Sequence, residues 1–199
     1  MNQKQVWNKI AKPWQEFRTR PLPEVIEFLK NKKGKLLDLG CGSGRHFIKQ
    51  KNLEIYGLDF SEKMIELAKK DSEDKKLDVK LKLIEDEKIP YKDNFFDLII
   101  CIAVLHCIET KAKRNKLIKE LYRTLKPSSQ ALISVWGRNQ KRIKNKPKQG
   151  YIPWTIGQEK YQRATYIYDK EELEQELKQA GFKIIKSEGK KAICVVVRK

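Results

Sequence analysis

Apolar and polar positions change period repeatedly along this chain. "KLLDLG" (35–40) and "EIYGLD" (54–59) are short apolar runs that predict buried strands. "VKLKLI" (79–84) alternates apolar residues with lysine, the pattern of a half-exposed strand. "FDLIICIAVL" (96–105) predicts a fully buried strand, and "ALISVW" (131–136) another. Between them the spacing becomes helical. "SEKMIELAKK" opens with Ser61 as a cap and sets Met64, Ile65, Leu67 and Ala68 on one side. Leu117, Ile118, Leu121 and Leu125 repeat at helical spacing, and Pro127 predicts the end of that helix. A last helix over about 170–180 stops at Gly181. Strands at 182–188 and 192–199 follow, with Gly189 in the turn.

Alternating strands and helices imply an α/β fold with a doubly wound, mostly parallel sheet. The last two strands are too close for a crossover helix, so the sheet ends in an antiparallel hairpin. One stretch breaks the pattern. "GRNQKRIKNKPKQG" (137–150) holds six Lys or Arg, no acid and no apolar period, and predicts a mobile basic loop.

Charge adds a partner to this picture. The 199 residues, one domain's worth, carry 44 Lys and Arg against 26 Asp and Glu, a formal net charge of +18. Such an excess points to a polyanion, nucleic acid or an acidic membrane surface. The apolar run at 98–105 is too short to span a bilayer, so no membrane is expected. Cys41, Cys101, Cys107 and Cys194 form no CxxC pair, which argues against zinc in this chain. The N-terminal residues lack the apolar segment of a signal peptide, and a reducing cytoplasmic setting is the expectation.

Gly40, Gly42 and Gly44 fall at the end of the first predicted strand, where open α/β sheets bind ligands. Glycines there allow a tight turn and a close approach of backbone to ligand. Asp59 ends the next strand, placed to accept hydrogen bonds from both hydroxyls of a ribose. The spacing is GxGxG, not the dinucleotide GxGxxG, and acidic Asp38 precedes it. A carboxylate there suits a cationic amino group better than a pyrophosphate. S-adenosylmethionine carries such a group. Glu85 or Asp86, after the third strand, could accept from the adenine amine.

Four stretches in order, "LLDLGCGSG", "IYGLDFS", the acidic end of strand three and "FDLIICIAVLH", resemble the class I S-adenosylmethionine-dependent methyltransferases over about residues 35–136. The resemblance implies a seven-stranded Rossmann-like sheet. It adds Cys41, Phe60, Ser61 and Ile102 to Asp38, the three glycines, Asp59, Glu85 and Asp86 as cofactor-binding positions. These motifs alone leave a small-molecule acceptor, a lipid or quinone precursor, open.

Three further stretches, 6–23, 102–136 and 152–163, look like the tRNA wobble-uridine methyltransferases. That family esterifies 5-carboxymethyluridine at position 34 and works with a small zinc-binding activator subunit. The resemblance implies one domain over 1–199, with a helical substrate-side segment at 1–30 and a substrate-side insertion at 137–168. It matches Arg18, Arg20 and Arg163 to basic positions and His106 to a histidine beside the transfer point. Arg18 and Arg163 are expected to hold the acceptor carboxylate, with His106 lining its pocket. Arg20 is expected on the tRNA. The chemistry needs aligned cations more than a base, because a carboxylate is already ionised at pH 7. Lys141, Arg142, Lys144, Lys146 and Lys148 are expected to meet tRNA phosphates, and Trp154 to stack a base. No Asn-Pro-Pro-aromatic tetrapeptide follows the fourth strand, which disfavours methylation of an exocyclic amine.

Overall fold

Helix α1 (Gln3–Phe17) opens on a reciprocal cap: the Gln5 N–H donates to Asn2, and the Asn2 N–H donates back to the Gln5 side chain. Its buried stripe is Val6, Trp7, Ile10 and Ala11. Helix α2 (Pro23–Leu29) starts on a proline, whose missing N–H costs nothing there. These elements come from a computed structural model that describes residues 1–85, 87–140, 143–189 and 192–199.

The alternating core follows: β1 (Gly34–Leu39), β2 (Leu53–Asp59), α3 (Glu62–Asp74), β3 (Val79–Leu83) and β4 (Phe96–Ile102). Next come a 3-10 turn (Leu105–Cys107), α4 (Lys111–Thr124) and β5 (Leu125–Trp136). The chain ends with β6 (Gln149–Ile156), β7 (Glu159–Tyr166), α5 (Lys170–Gln179), β8 (Lys183–Glu188) and β9 (Ala192–Arg198). Seven strands pair in the order β3-β2-β1-β4-β5-β9-β8. The first five run parallel, and β9 lies antiparallel between β5 and β8. The α/β class, the parallel sheet and its closing hairpin are as the periodicity predicts. A core of Leu37, Leu39, Ile99, Leu117, Leu121 and Val195 fills one face, and α2 covers the other.

Three expectations change. The strand expected to reach 105 stops at Ile102, because Ala103 takes a left-handed backbone (φ 61°) that turns the chain toward the 3-10 turn. The helix expected to run to Pro127 stops at Thr124. Leu125 is already extended and begins β5, one residue ahead of Lys126, which the following Pro127 biases away from helix. The insertion contains a separate two-stranded sheet, β6 with β7, closed by a Gly157-Gln158 turn with Gly157 at φ 58°. In the basic stretch before it, Ile143 is buried against Trp136 and Ile167.

Candidate active site

The carboxyl ends of β1, β2 and β4 meet, and the loop after β1 hangs on β2. The N–H groups of Gly40 and Cys41 both donate to the Leu58 carbonyl, at 2.7 and 3.0 Å. A Cβ on Gly40 would stand 2.3 Å from Val104 Cγ2, and its φ is 69°, so only glycine fits there. Gly42, at φ 55°, lines a cavity instead; a Cβ there would meet only Met64 Sδ at 3.9 Å. Gly44 completes the loop, its N–H donating to Cys41 O at 3.1 Å, and Cys41 is buried beneath.

Asp59 is buried at the end of β2. Its carboxylate accepts the Gly42 N–H at 2.9 Å and the Ser61 N–H at 3.0 Å. Burial pushes its pKa up to about 6, against the pull of these backbone donors. Ser61 caps α3 by accepting the Met64 N–H at 3.2 Å, and its hydroxyl donates to Asn8 Oδ1 of α1 at 2.6 Å. Asp38 is buried in β1 with neither carboxylate oxygen hydrogen-bonded. Burial first, and Asp59 second, push its pKa up to about 8. His46 Nδ1 stands 3.9 Å from it, but burial lowers the imidazole to about 3, so that ring is neutral.

Two cavities of about 480 and 450 Å³ adjoin along this edge and share Gly40, Asp59, Phe60, Val104 and Cys107. The first is closed by Ile84, Glu85 and Ile108. Glu85 is exposed, with Lys4 Nζ at 3.8 Å. The second is walled by Ile102, His106, Trp136, Arg18, Arg45 and Arg163. S-adenosylmethionine fits this donor set. An orphaned buried carboxylate at Asp38 awaits a cation, Asp59 keeps lone pairs for ribose hydroxyls, and the glycine loop leaves room in front of its backbone.

Arg163 stands in the wall of the second cavity. It sits on β7, 5% exposed, among all four tryptophans of the chain. Its guanidinium carbon is 5.9 Å from the ring centroid of Trp7, 5.3 Å from Trp14, 5.8 Å from Trp136 and 5.2 Å from Trp154. His106 is buried, stacked on Trp136 at 4.6 Å, and its Nδ1 accepts the Trp136 N–H at 3.2 Å. Burial pushes the neighbouring Cys107 thiol up to about 12.

The remaining expected residues divide. Arg18 lies on the second cavity wall, 4.9 Å above Trp14. Arg20 is exposed and off that wall, and its carbonyl accepts Arg45 Nε at 2.6 Å. Lys144 and Lys146 are exposed. Lys148 is spent on Asp169 and Glu172, each at 2.9 Å, which raises its pKa and takes it from the set of free phosphate binders. Trp154 is held between Trp14 at 5.3 Å and Phe17 at 5.7 Å and does not stand clear as a lone stacking surface. Asp86, Lys141 and Arg142 lie outside the described residues. Sequence reasoning missed Arg45, the cavity-facing cation directly after the glycine loop. Burial and Arg18 both lower its pKa. It also missed Asn8. The only signal for Arg45 was a basic residue in that place.

The molecule's likenesses agree with this layout. A family model described as "Methyltransferase domain" matches residues 30–187. The chain is 29% identical to the probable tRNA methyltransferase 9B of Mus musculus over 151 residues, 75% of this chain and 32% of the mouse protein. It therefore spans about a third of that relative's length. It is 26% identical to the tRNA (carboxymethyluridine(34)-5-O)-methyltransferase of Schizosaccharomyces pombe, over 91% of this chain and 88% of that one. A SAM-dependent methyltransferase from Methanosarcina mazei superposes with a TM-score of 0.74 at 19% identity, covering 90% of this chain and 98% of that one. A Haloferax volcanii methyltransferase, solved with the Trm112 methyltransferase activator, superposes with 0.71 at 13% identity, covering 100% and 98%. The chain belongs to the methyltransferase-domain family and has the class I S-adenosylmethionine-dependent methyltransferase fold.

Proposed function

We propose that this enzyme methylates the carboxylate of 5-carboxymethyluridine at wobble position 34 of tRNA. The observation that carries the reading is Arg163: a guanidinium held by indole rings in the wall of the cavity beyond the glycine loop. Such a cation suits an anionic acceptor, and a carboxylate matches its bidentate fork. The fission-yeast relative's name points the same way.

S-adenosylmethionine, when bound, supplies a methyl group activated by its sulfonium. The chain's own residues do the rest. Asp59 accepts from the ribose hydroxyls, Asp38 takes the amino group, and Glu85 borders the adenine side. Arg163 fixes the acceptor carboxylate in line, with Arg18 on the same wall. That positioning is most of the catalytic work, because the acceptor is already ionised. His106 Nδ1 is engaged by the Trp136 N–H, which suits a ring that lines the pocket rather than one that removes a proton.

The proposed partners are tRNA and a small zinc-binding activator subunit. Edge strand β3 supports the second, since an edge can be extended by a partner strand. Lys80 on it pairs with Glu54, and Lys82 lies 4.5 Å over Tyr91, so both lysines fold back onto this chain. The Haloferax pair is a precedent for such an assembly.

Mass spectrometry of tRNA nucleosides from cells lacking the protein tests the reading. Carboxymethyluridine should accumulate and its methyl ester vanish. Unchanged nucleosides, with a small-molecule acid methylated by the purified enzyme, overturn it.

A further inference from the structure

Phe17 is the last residue of α1 and 74% exposed, although a large aromatic side chain is normally covered. It is the outer rung of a ladder. Trp7 meets Trp14 edge to face at 5.0 Å, Trp14 meets Trp154 at 5.3 Å, and Trp154 meets Phe17 edge to face at 5.7 Å. The inner rungs, Trp7 and Trp14, line the acceptor cavity. The outer rung stands in solvent. Its ring is backed by Trp154, so it is supported without being covered.

Cations flank it. Arg18 follows directly in sequence, and Arg20 two residues later. Neither has a carboxylate at ion-pair distance among the described residues. This differs from Lys148, whose charge is taken up by Asp169 and Glu172. Arg18 lies over Trp14 on the cavity wall, but Arg20 is exposed and off it. An exposed, supported aromatic beside such an uncommitted arginine is the combination that grips single-stranded nucleic acid: the ring stacks a base, and the cation takes an adjoining phosphate.

We propose that Phe17 is the stacking platform for a nucleobase next to the one that enters the cavity, with Arg20 on a flanking phosphate. This rests on the reading of the enzyme as an RNA methyltransferase and names the surface on which the RNA lies. The Phe17–Trp154–Trp14 ladder then leads from the platform to Arg163.

The test is filter binding of the anticodon stem-loop RNA to the full chain across a salt series, beside calorimetry of S-adenosylmethionine. Phe17→Ala should weaken RNA binding about tenfold and leave the salt slope and cofactor affinity unchanged. Phe17→Trp should restore affinity; Phe17→Leu, apolar but not aromatic, should not. Arg20→Gln should flatten the slope by about 0.7, the value for one single-strand phosphate. Trp154 fluorescence should respond to RNA in the parent protein and much less in Phe17→Ala. Unaltered RNA affinity in Phe17→Ala, in a protein that still methylates tRNA, overturns the inference alone. Absence of RNA binding by the parent protein removes the RNA reading and this platform together. Loss of a partner polypeptide instead of RNA makes the face a protein-docking surface and also overturns it.

Discussion

The two ends of the cleft are built on different principles. The cofactor end is assembled from neighbours in sequence: Asp38, the glycine loop and Asp59 lie within 22 residues of one another. Their backbone holds them, through Gly42 and Ser61 N–H donors to Asp59 and the Leu58 carbonyl beneath the loop. The proposed acceptor end is assembled from distant segments. Arg163 comes from β7, and its indole walls come from α1, β5 and β6. The first is specified by hydrogen bonds of the main chain, the second by side-chain packing. Substitutions at the acceptor end should therefore spoil alignment, and those at the cofactor end affinity.

The largest effect should be at Arg163. Arg163→Ala should lower single-turnover methylation about a hundredfold, because loss of alignment by about 1 Å costs that much. Cofactor affinity by calorimetry should hold. Arg163→Lys should rescue only in part, lacking the planar fork. If cofactor affinity falls as far as turnover, the two ends are not separable.

Asp59→Ala should weaken S-adenosylmethionine by about 1–3 kcal/mol, the loss of a charge-assisted acceptor for two hydroxyls. Turnover at saturating cofactor should change far less. Equilibrium dialysis beside rate measurements checks this.

Asp38 gives a pH signature. Its folded pKa, about 8, is raised above the unfolded value of 3.8. The folded carboxyl keeps a proton that the unfolded chain has lost, so its stabilisation is complete below about 4 and is lost as pH rises through about 8. Between pH 6 and 8 the cofactor-free protein should lose about 1.4 kcal/mol per unit from this group. Asp38→Asn should remove that slope in urea denaturation. Cofactor binding near pH 7 should release about one proton in the parent and none in the variant, read by calorimetry in two buffers. Equal slopes in parent and variant would mean that Asp38 is ionised in the empty fold.

The smallest effect should be at Lys148. With its ammonium held by Asp169 and Glu172, Lys148→Gln should leave the salt slope of tRNA binding unchanged, whereas neutralising Lys144 and Lys146 should flatten it. A slope change from Lys148 alone would show that RNA displaces the acids.

The same division explains what was legible in the sequence. Gly40, Asp59 and the Ser61 cap announce themselves because their roles depend on local backbone geometry, which a spacing encodes. The β6–β7 hairpin was hidden: Pro153 sits mid-strand, and such a proline argues against a strand unless it is at an edge. Arg163 could be matched to a basic position, but its cage could not be read, since no local pattern links residues 7, 14, 136 and 154. The basic loop read as a row of equivalent charges. Composition does not show that Ile143 is buried or that the acids holding Lys148 lie around the start of α5.

The Gln3 side chain accepts the Ala164 N–H at 2.8 Å, across 161 residues of chain. The packing of Arg163 against Trp7 and Trp14 spans the same separation, so this wall of the second cavity cannot close until both α1 and β7 have left the ribosome. At about 5–20 residues per second, α1 waits on the order of 10–30 s for β7, with only its contacts to α3 available. Closing so long a loop is entropically slow. Until it closes, Arg163 lacks the two indoles that α1 contributes to its cage.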